Sequence, residues 1–175
     1  AKKNHAIISF DPNIRLPLWS SAEACQETVR EFLPDADLVK LSDEECFFVT
    51  GKHSILDAAD WLFEQGCKMV LYSMGKEGAM ILTPHFSSHV ENPEVRVKDT
   101  TGAGDAIIGA YLYCLAKNHI TVSQLADCLP EQVQEWLTFA VYYANYSITK
   151  SGAIASYPDY TTFVKWMQEK RKKAH

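Results

Sequence analysis

Short apolar runs alternate with helix-like segments through the first half of the chain, and this alternation restricts the fold more than any other feature. Ala6–Phe10, Asp37–Leu41 and Lys68–Ser73 have the length of buried strands. Between them, polar caps followed by apolar residues at helical spacing predict helices that end near Leu33 and at Gly66. Strands separated by helices form parallel sheets with helices on their faces. The sequence therefore predicts an α/β fold, with a mostly parallel sheet flanked by helices.

The second half of the chain is dominated by helical patterns. A turn at Gly75–Gly78 is expected to join the third strand to Ala79–Leu82 as a hairpin, and Phe86–Val97 is expected to add one or two strands. Helices are predicted over Ala106–Lys117, near Val122–Leu129, from Glu131 to about Thr149 and from about Tyr160. We see no internal repeat and no linker in the 175 residues, so residues 1–175 are treated as one structural unit.

The charge balance argues against nucleic acid or membrane as a partner. There are 17 basic and 22 acidic side chains, giving a net charge of −5 that would not attract phosphate backbones or anionic lipid. The longest apolar runs are strand-sized, far below the roughly 20 residues of a membrane helix. The five cysteines are widely spaced without a CxxC pair, which is typical of a reducing compartment: Cys25, Cys46, Cys67, Cys114 and Cys128. We therefore predict a cytoplasmic location.

The first residues suggest that the chain is part of a longer polypeptide. Ala1–His5 has neither an initiator Met nor an apolar signal core, and a strand pattern follows at once. We expect a fragment of a larger domain.

The segment Asp99–Ala106, with the sequence DTTGAGDA, carries the most informative chemistry. Small residues at Gly102, Ala103 and Gly104 let backbone N–H groups point into one concavity at a helix N-terminus, whose dipole adds positive potential. Asp105 follows in the first turn. Such an anion hole beside a carboxylate suits phosphoryl transfer to a hydroxyl that the carboxylate deprotonates. On its own, however, the string fits a helix start with an acidic residue equally well, and it matches neither a Walker loop nor a dinucleotide fingerprint.

Five segments in the same order resemble the C-terminal part of the ribokinase-type (PfkB) carbohydrate kinases. DTTGAGDAIIGAYL, from Asp99, is similar to the second signature of that family. The others are SFDPNIRLPLW from Ser9, KLSDEE and VTG from Lys40, YSMGKEGAMI from Tyr72 and ITKSGAIASYP from Ile148. The string FDPNxRxPLW is most similar to fructokinases. The resemblance implies a ribokinase-like fold, with residues 1–175 as the ATP-binding and catalytic-base part of an ATP-dependent D-fructose kinase.

The resemblance also implies roles for particular residues. Asp105 would be the general base, and the backbone of Gly102, Ala103 and Gly104 the anion hole. The residues implied at the nucleotide are Ser42, Ser73, Gly75, Lys76, Gly78 and Val141. Ser42 and Val141 depart from the asparagines that many relatives have there, and Val141 suggests an apolar wall at the base. Arg15 is a fork-shaped donor that could reach phosphate or form a surface salt bridge.

Metal ions are implied as well. Glu45 matches a glutamate that organises Mg²⁺ through water in relatives, while its spacing from Ser42 also fits a capping box. A monovalent cation such as K⁺ would be bound by Asp99 and Thr101 of the signature together with carbonyls and a hydroxyl further on, at Ser147, Lys150, Gly152 and Ser156. A loop that only closes the fold would have a similar composition.

Several alternatives stay open from the sequence. The acceptor could be 2-keto-3-deoxygluconate, ribose or a nucleoside in place of fructose. The chain could also be a non-catalytic nucleotide-binding fragment. In relatives, the region preceding these segments carries the sugar pocket and a β-stranded lid that is often used for dimerisation, which implies a homodimer formed through that lid.

Overall fold

The computed structural model describes residues 1–173 and contains one five-stranded sheet. The strands lie side by side in sequence order: β1 (Ser9–Phe10), β2 (Leu38–Ser42), β3 (Met69–Ser73), β4 (Ala79–Leu82) and β5 (Ser87–Val90). β1, β2 and β3 pair in parallel, whereas β4 is antiparallel to both β3 and β5. Every strand except β4 therefore points the same way, which confirms the mostly parallel sheet.

Six α-helices accompany the sheet: α1 (Ala22–Phe32), α2 (Asp43–Thr50), α3 (Ile55–Glu64), α4 (Ala103–Lys117), α5 (Pro130–Ser147) and α6 (Tyr160–Lys173). Serines cap the first three helices as the sequence predicted, because the side chains of Ser21, Ser42 and Ser54 each accept a hydrogen bond from an N–H three residues later. The piece near Val122–Leu129 is a 3-10 helix over Val122–Asp127.

Alternate residues of the strands pack against different helix layers. On β2, Leu38 belongs to the apolar cluster formed with α4 and α5, while Val39 and Leu41 belong to the cluster formed with α1, α2 and α3. This period of two places Lys40 on the α4 side, where its side chain is buried. The sheet is thus covered on both faces, and a charged residue occupies a position that its neighbours fill with apolar side chains.

The C-terminal helix α6 packs on α5 through aromatic rings. Phe163 lies edge-on to Phe139 and Tyr143, with centroid separations of 5.0 and 5.1 Å, and Trp166 lies edge-on to Tyr146 at 5.3 Å. Edge-to-face contacts at these distances are favourable. They attach α6 to the layer that carries α4.

Three boundaries differ from the sequence prediction. β1 covers only Ser9–Phe10 of the expected Ala6–Phe10, although the Ile8 carbonyl still accepts hydrogen bonds from the β2 side. Only Ser87–Val90 of Phe86–Val97 is a strand, and the remainder is an irregular connection to α4. Helix α4 begins at Ala103, three residues earlier than expected, because the left-handed conformation of Gly102 lets its carbonyl accept the first helical bond.

All five cysteines are buried as free thiols. Burial raises the pKa of each thiol, to about 11 for Cys46 and Cys67 and to about 12 for Cys114. Within residues 1–173, no helix combines the length and the hydropathy that crossing a bilayer requires.

Candidate functional site

A cleft of about 380 Å³ opens at the edge of the sheet where β2 and β3 end. Ser42 and Ser73 are the last residues of these two parallel strands, and both line the cleft. In α/β sheets, ligands bind outside the carboxyl ends of the strands. Loops and helices supply the remaining polar and small residues of the lining, which are Asp43, Glu44, Gly75, Gly78, Asn92, Ala103, Gly104 and Asn145. The apolar wall comprises Ile107, Val141, Ala144 and Ile148.

The N-terminus of α4 supplies backbone donors to this cleft. The N–H of Ala103 donates to the carbonyl of Thr100 at 3.1 Å, and the N–H of Ala106 donates to that of Gly102 at 2.8 Å. Within the described part of the chain, the N–H groups of Gly102, Gly104 and Asp105 have no acceptor. Of the predicted Gly102–Gly104 set, only the N–H of Ala103 is engaged by the chain itself, and Asp105 adds a further free donor.

Gly102 must be a glycine for this arrangement. Its φ is +80°, and its carbonyl accepts a hydrogen bond from the Tyr157 hydroxyl at 2.9 Å. A Cβ on Gly102 would lie 2.8 Å from that hydroxyl and 2.9 Å from the Cβ of Ala153. This close packing places the start of α4 against Ala153 and Tyr157, which precede α6 in the sequence.

Asp105 is exposed and opens onto a different cavity from Gly104. This second cavity, of about 290 Å³, is lined largely by aromatic side chains, including Tyr143 and Tyr157. Burial raises the pKa of Tyr157, and the charge of Asp105 adds to the effect. The first turn of α4 thus presents backbone donors to the cleft and a carboxylate outside it.

Lys40 lies beneath this turn and was not expected from the sequence. Its ammonium is 3.3 Å from Asp11 Oδ1 and 3.8 Å from Glu45 Oε2, and a Cβ on Gly104 would lie 3.2 Å from it. Burial raises the pKa of Asp11, and the attraction of Lys40 offsets part of that effect. A charged residue in an alternating apolar strand is the signal that could have identified Lys40.

Glu45 is buried, and both its carboxylate oxygens accept hydrogen bonds. Its Oε1 accepts from the N–H of Ile14 at 3.0 Å, and its Oε2 accepts from the N–H and the hydroxyl of Ser42 at 2.9 Å each. Burial raises the pKa of Glu45, but the bonds from Ser42 and the charge of Lys40 outweigh it and leave the pKa below its ordinary value. The capping box is therefore confirmed.

The predicted role of Glu45, to organise Mg²⁺ through water, stays a prediction. Glu45 is not among the residues that line the cleft, and each of its oxygens accepts at least one hydrogen bond. Residues 1–173 contain no cluster of three or more His, Cys, Asp or Glu arranged to hold a metal ion.

Three of the six residues predicted to bind a monovalent cation are joined by hydrogen bonds. Asp99 Oδ1 accepts from the N–H and hydroxyl of Thr101, and Oδ2 accepts from the N–H of Gly152 at 2.8 Å. These bonds lower the pKa of Asp99 to about 2, the bond from Gly152 contributing most. The oxygen atoms of Asp99 and Thr101 are of the kind that K⁺ prefers.

The other three positions are predicted to act through carbonyls and a hydroxyl, and that role stays a prediction. The hydroxyls of Ser147 and Ser156 donate to the carbonyls of Ala144 and Ala153, and the ammonium of Lys150 donates to the hydroxyl of Tyr146 at 2.7 Å. These bonds engage the three side chains, whereas the predicted role of Lys150 and its neighbours concerns backbone carbonyls.

The predicted nucleotide residues divide into two groups. Ser42, Ser73, Gly75, Gly78 and Val141 line the cleft, the last as part of its apolar wall. Lys76 and Arg15 are exposed and are not part of the lining. Arg15 donates to the carbonyl of Ile14 at 2.8 Å and forms no ion pair with any residue in the described range.

Two asparagines of the cleft were missed from the sequence. Asn145, on α5, donates from Nδ2 to Asn92 Oδ1 at 2.7 Å and to the carbonyl of Val141 at 2.9 Å. Asn92 in turn donates from its own Nδ2 to the carbonyl of Gly75 at 2.8 Å. Since the two residues are 53 positions apart, no local pattern joins them.

The chain is similar to plant fructokinases. It is 35% identical over 159 residues to fructokinase-2 of Solanum habrochaites. The aligned region covers 90% of this chain and 47% of that protein. It is 38% identical over 160 residues to probable fructokinase-6, chloroplastic, of Arabidopsis thaliana, spanning 90% of this chain and 40% of the relative. A chloroplastic relative leaves the cytoplasmic location a prediction.

Solved structures share the fold. A fructokinase double mutant from Vibrio cholerae, in a form with fructose, ADP and potassium ion bound, superposes with a TM-score of 0.82 at 30% identity, over 95% of this chain and 52% of that one. For a fructokinase from Xylella fastidiosa with bound ATP, the TM-score is 0.88 at 27% identity, over 96% of this chain and 53% of that one. The ribokinase-like fold is thereby confirmed.

The chain spans about half the length of the relatives it matches. The sugar pocket, the lid and the homodimer implied by the resemblance stay predictions. The sequence model for the pfkB family of carbohydrate kinases matches residues 1–160, and the chain therefore belongs to that family.

Proposed function

We propose that this chain is the ATP-binding and phosphoryl-transfer part of a sugar kinase that converts D-fructose and ATP into fructose 6-phosphate and ADP. The observation that carries the proposal is the first turn of α4. The N–H groups of Gly102, Gly104 and Asp105 are unpartnered there within the described residues. Gly104 lines the cleft, and the next side chain is the exposed carboxylate of Asp105.

In the proposed reaction, the carboxylate of Asp105 accepts the proton of the sugar 6-hydroxyl. The sugar oxygen forms a bond to the γ-phosphorus, the bond to the β,γ-bridging oxygen breaks, and ADP leaves with that electron pair. Charge on the γ-phosphoryl oxygens would be stabilised by the N–H groups of Gly104 and Asp105 and by the helix dipole. Asp105 then releases its proton to water.

The cleft would hold ATP with its phosphates toward Gly104. The turn containing Gly75 and Gly78 and the end of β3 would flank the nucleotide, and Val141 would form part of an apolar wall for the base. Mg²⁺ would arrive as part of the substrate complex with ATP. Glu45 positions Ser42 through Oε2 and would orient that Mg²⁺ through water.

A monovalent cation would be held at the loops around Asp99 and Gly152. The bound potassium ion of the Vibrio cholerae fructokinase supports this assignment. When bound, the ion would supply positive charge beside the start of α4. Asp99, Thr101 and Gly152 are already joined there by hydrogen bonds, and carbonyls and a hydroxyl at Ser147, Lys150 and Ser156 would complete the site.

Fructose is proposed as the acceptor because the curated relatives described above are fructokinases. An aminoimidazole riboside kinase from Salmonella enterica also shares the fold, with a TM-score of 0.78 at 25% identity. The assay must therefore include ribose, 2-keto-3-deoxygluconate and nucleosides alongside fructose.

The test is coupled ADP release from the protein expressed from its full gene, with that panel of acceptors. Asp105→Asn should lower kcat by about a hundredfold or more, the usual contribution of a general base. Asp57→Asn is the matched control, because Asp57 occupies the same third position of α3 and lies outside the cleft. Near-normal kcat in Asp105→Asn would refute the assigned role.

The 175-residue chain can be tested by itself for the non-catalytic alternative. Calorimetric titration should show that it binds ATP. Binding in the absence of any turnover by the complete protein would identify a nucleotide-binding module and contradict the kinase proposal. Failure to bind ATP would contradict both.

A further inference from the structure

A chain of two amides lies in the cleft, and its orientation is fixed at both ends by backbone carbonyls. The Val141 carbonyl can only accept, so the group of Asn145 that contacts it is the NH₂. The Gly75 carbonyl likewise can only accept, so the group of Asn92 that contacts it is also the NH₂. The oxygen of Asn92 therefore faces the NH₂ of Asn145. Both amide orientations therefore follow from hydrogen bonding.

This arrangement leaves Asn145 with one unused polar atom. Both hydrogens of its NH₂ are donated, whereas no group in residues 1–173 donates to its Oδ1. None of the fully buried side-chain polar atoms in that range lacks a partner, so Oδ1 has access to solvent. The whole residue is only 4% exposed, and it lines the cleft. The cleft is therefore where a ligand would meet this acceptor.

The neighbouring wall is suited to a flat apolar ring. Val141 precedes Asn145 by one helical turn, and Ile107 and Ile148 line the cleft near it. A base placed on this wall would have its edge within reach of Asn145. Gly104, where the phosphates are proposed to lie, lines the same cleft.

We propose that Asn145 Oδ1 selects the base by accepting a hydrogen bond from the 6-amino group of adenine. The proposal rests on nucleotide binding in this cleft, as proposed above. Adenine carries a donor at position 6, whereas guanine carries an acceptor oxygen there, which would face the Asn145 oxygen unfavourably. The two fixed amides hold Oδ1 in place, so the side chain cannot rotate to offer a donor without breaking two bonds.

The experiment compares two nucleotides on the unmodified chain. Calorimetry measures Kd for ATP and for purine riboside 5′-triphosphate, in which hydrogen replaces the 6-amino group. We expect ATP to bind about fivefold to tenfold more tightly, the effect of one hydrogen bond. Affinities within threefold of each other would overturn the inference while leaving the proposed function intact.

Substitution of Asn145 provides the second part of the experiment. In Asn145→Leu the preference for ATP over purine riboside triphosphate should disappear. Asn118→Leu is the matched control, because Asn118 also donates to the carbonyl four residues earlier but lies at the end of α4, outside the cleft. It should retain the preference.

The outcomes separate the two proposals. A preference that persists in Asn145→Leu overturns the role of Asn145 alone. Absence of binding by either nucleotide refutes the proposed function. If Asn145→Leu does not fold, the comparison of the two nucleotides on the unmodified chain still decides the question.

Discussion

Replacing Gly102 by alanine should destabilise the fold through the contact between α4 and the chain before α6. The added methyl would meet the Tyr157 hydroxyl at 2.8 Å, the Ala153 Cβ at 2.9 Å and the Ala153 Cα at 3.2 Å. The Ala153 atoms cannot move away as a flexible side-chain end could, so the backbone around Ala153 must shift. That shift also strains the bond from Tyr157 to the Gly102 carbonyl.

Two effects add in Gly102→Ala. Alanine at a φ of +80° costs about 1 kcal/mol relative to glycine. Forcing a methyl into a filled space costs about 1 to 3 kcal/mol. We therefore expect the free energy of unfolding to fall by about 2 to 4 kcal/mol.

Urea denaturation followed by tryptophan fluorescence measures this change. Gly109→Ala in the same helix is the control, because Gly109 is exposed and a Cβ there would have no neighbour within 4 Å. Alanine should stabilise that position by about 0.5 to 1 kcal/mol through its higher helix propensity. The two variants should therefore change stability in opposite directions.

A loss below about 0.5 kcal/mol in Gly102→Ala would refute the reasoning, because the positive φ alone should exceed it. An equal loss in Gly109→Ala would show that alanine is unfavourable throughout α4 and that the contact with Ala153 is not the cause.

Other perturbations test separate parts of the site. Ser42→Ala and Ser54→Ala should each lower the unfolding free energy by about 1 kcal/mol in urea titrations through loss of a helix cap, but only Ser42→Ala should weaken ATP binding. Tyr157→Phe should lose about 1 kcal/mol in the same titration, since its hydrogen bond to Gly102 disappears. The pKa of Asp99 is about 2 against an ordinary 3.8, so its stabilisation is complete above about pH 4 and is lost toward pH 2. Asp99→Asn should accordingly show a flatter dependence of Tm on pH between 4 and 2; an unchanged slope would contradict this.

Local signals in the sequence were sufficient for the starts of the first three helices and for the glycine turn. A serine side chain that accepts from the N–H three residues later forms a cap without help from the rest of the fold, so Ser42 and Ser54 could be predicted, and Ser21 as one of two candidates with Ser20. Strand ends were harder, because the extent of a strand depends on its neighbour. Ala6 to Ile8 has strand composition, yet only Ser9 and Phe10 pair in register with β2.

The parts of the cleft that were missed depend on contacts between distant segments. Asn92 and Asn145 meet only because the connection after β5 passes the end of α5. Lys40 approaches Gly104 across the sheet-to-helix interface, 64 positions along the sequence. Arg15 is the opposite case, a residue that was predicted at the cleft but does not line it. Its place after a strand can be predicted from the sequence, but the direction of its long side chain cannot.

The distribution of the buried thiols lets chemical modification report on each helix layer separately. Cys25, Cys46 and Cys67 lie in the cluster with α1, α2 and α3, while Cys114 and Cys128 lie in the cluster with α4 and α5. Since burial and raised pKa keep all five unreactive in the native state, alkylation at a given cysteine requires opening of its layer. Pulsed alkylation with mass spectrometry would thus show whether the layer bearing the cleft opens before, after or together with the opposite one.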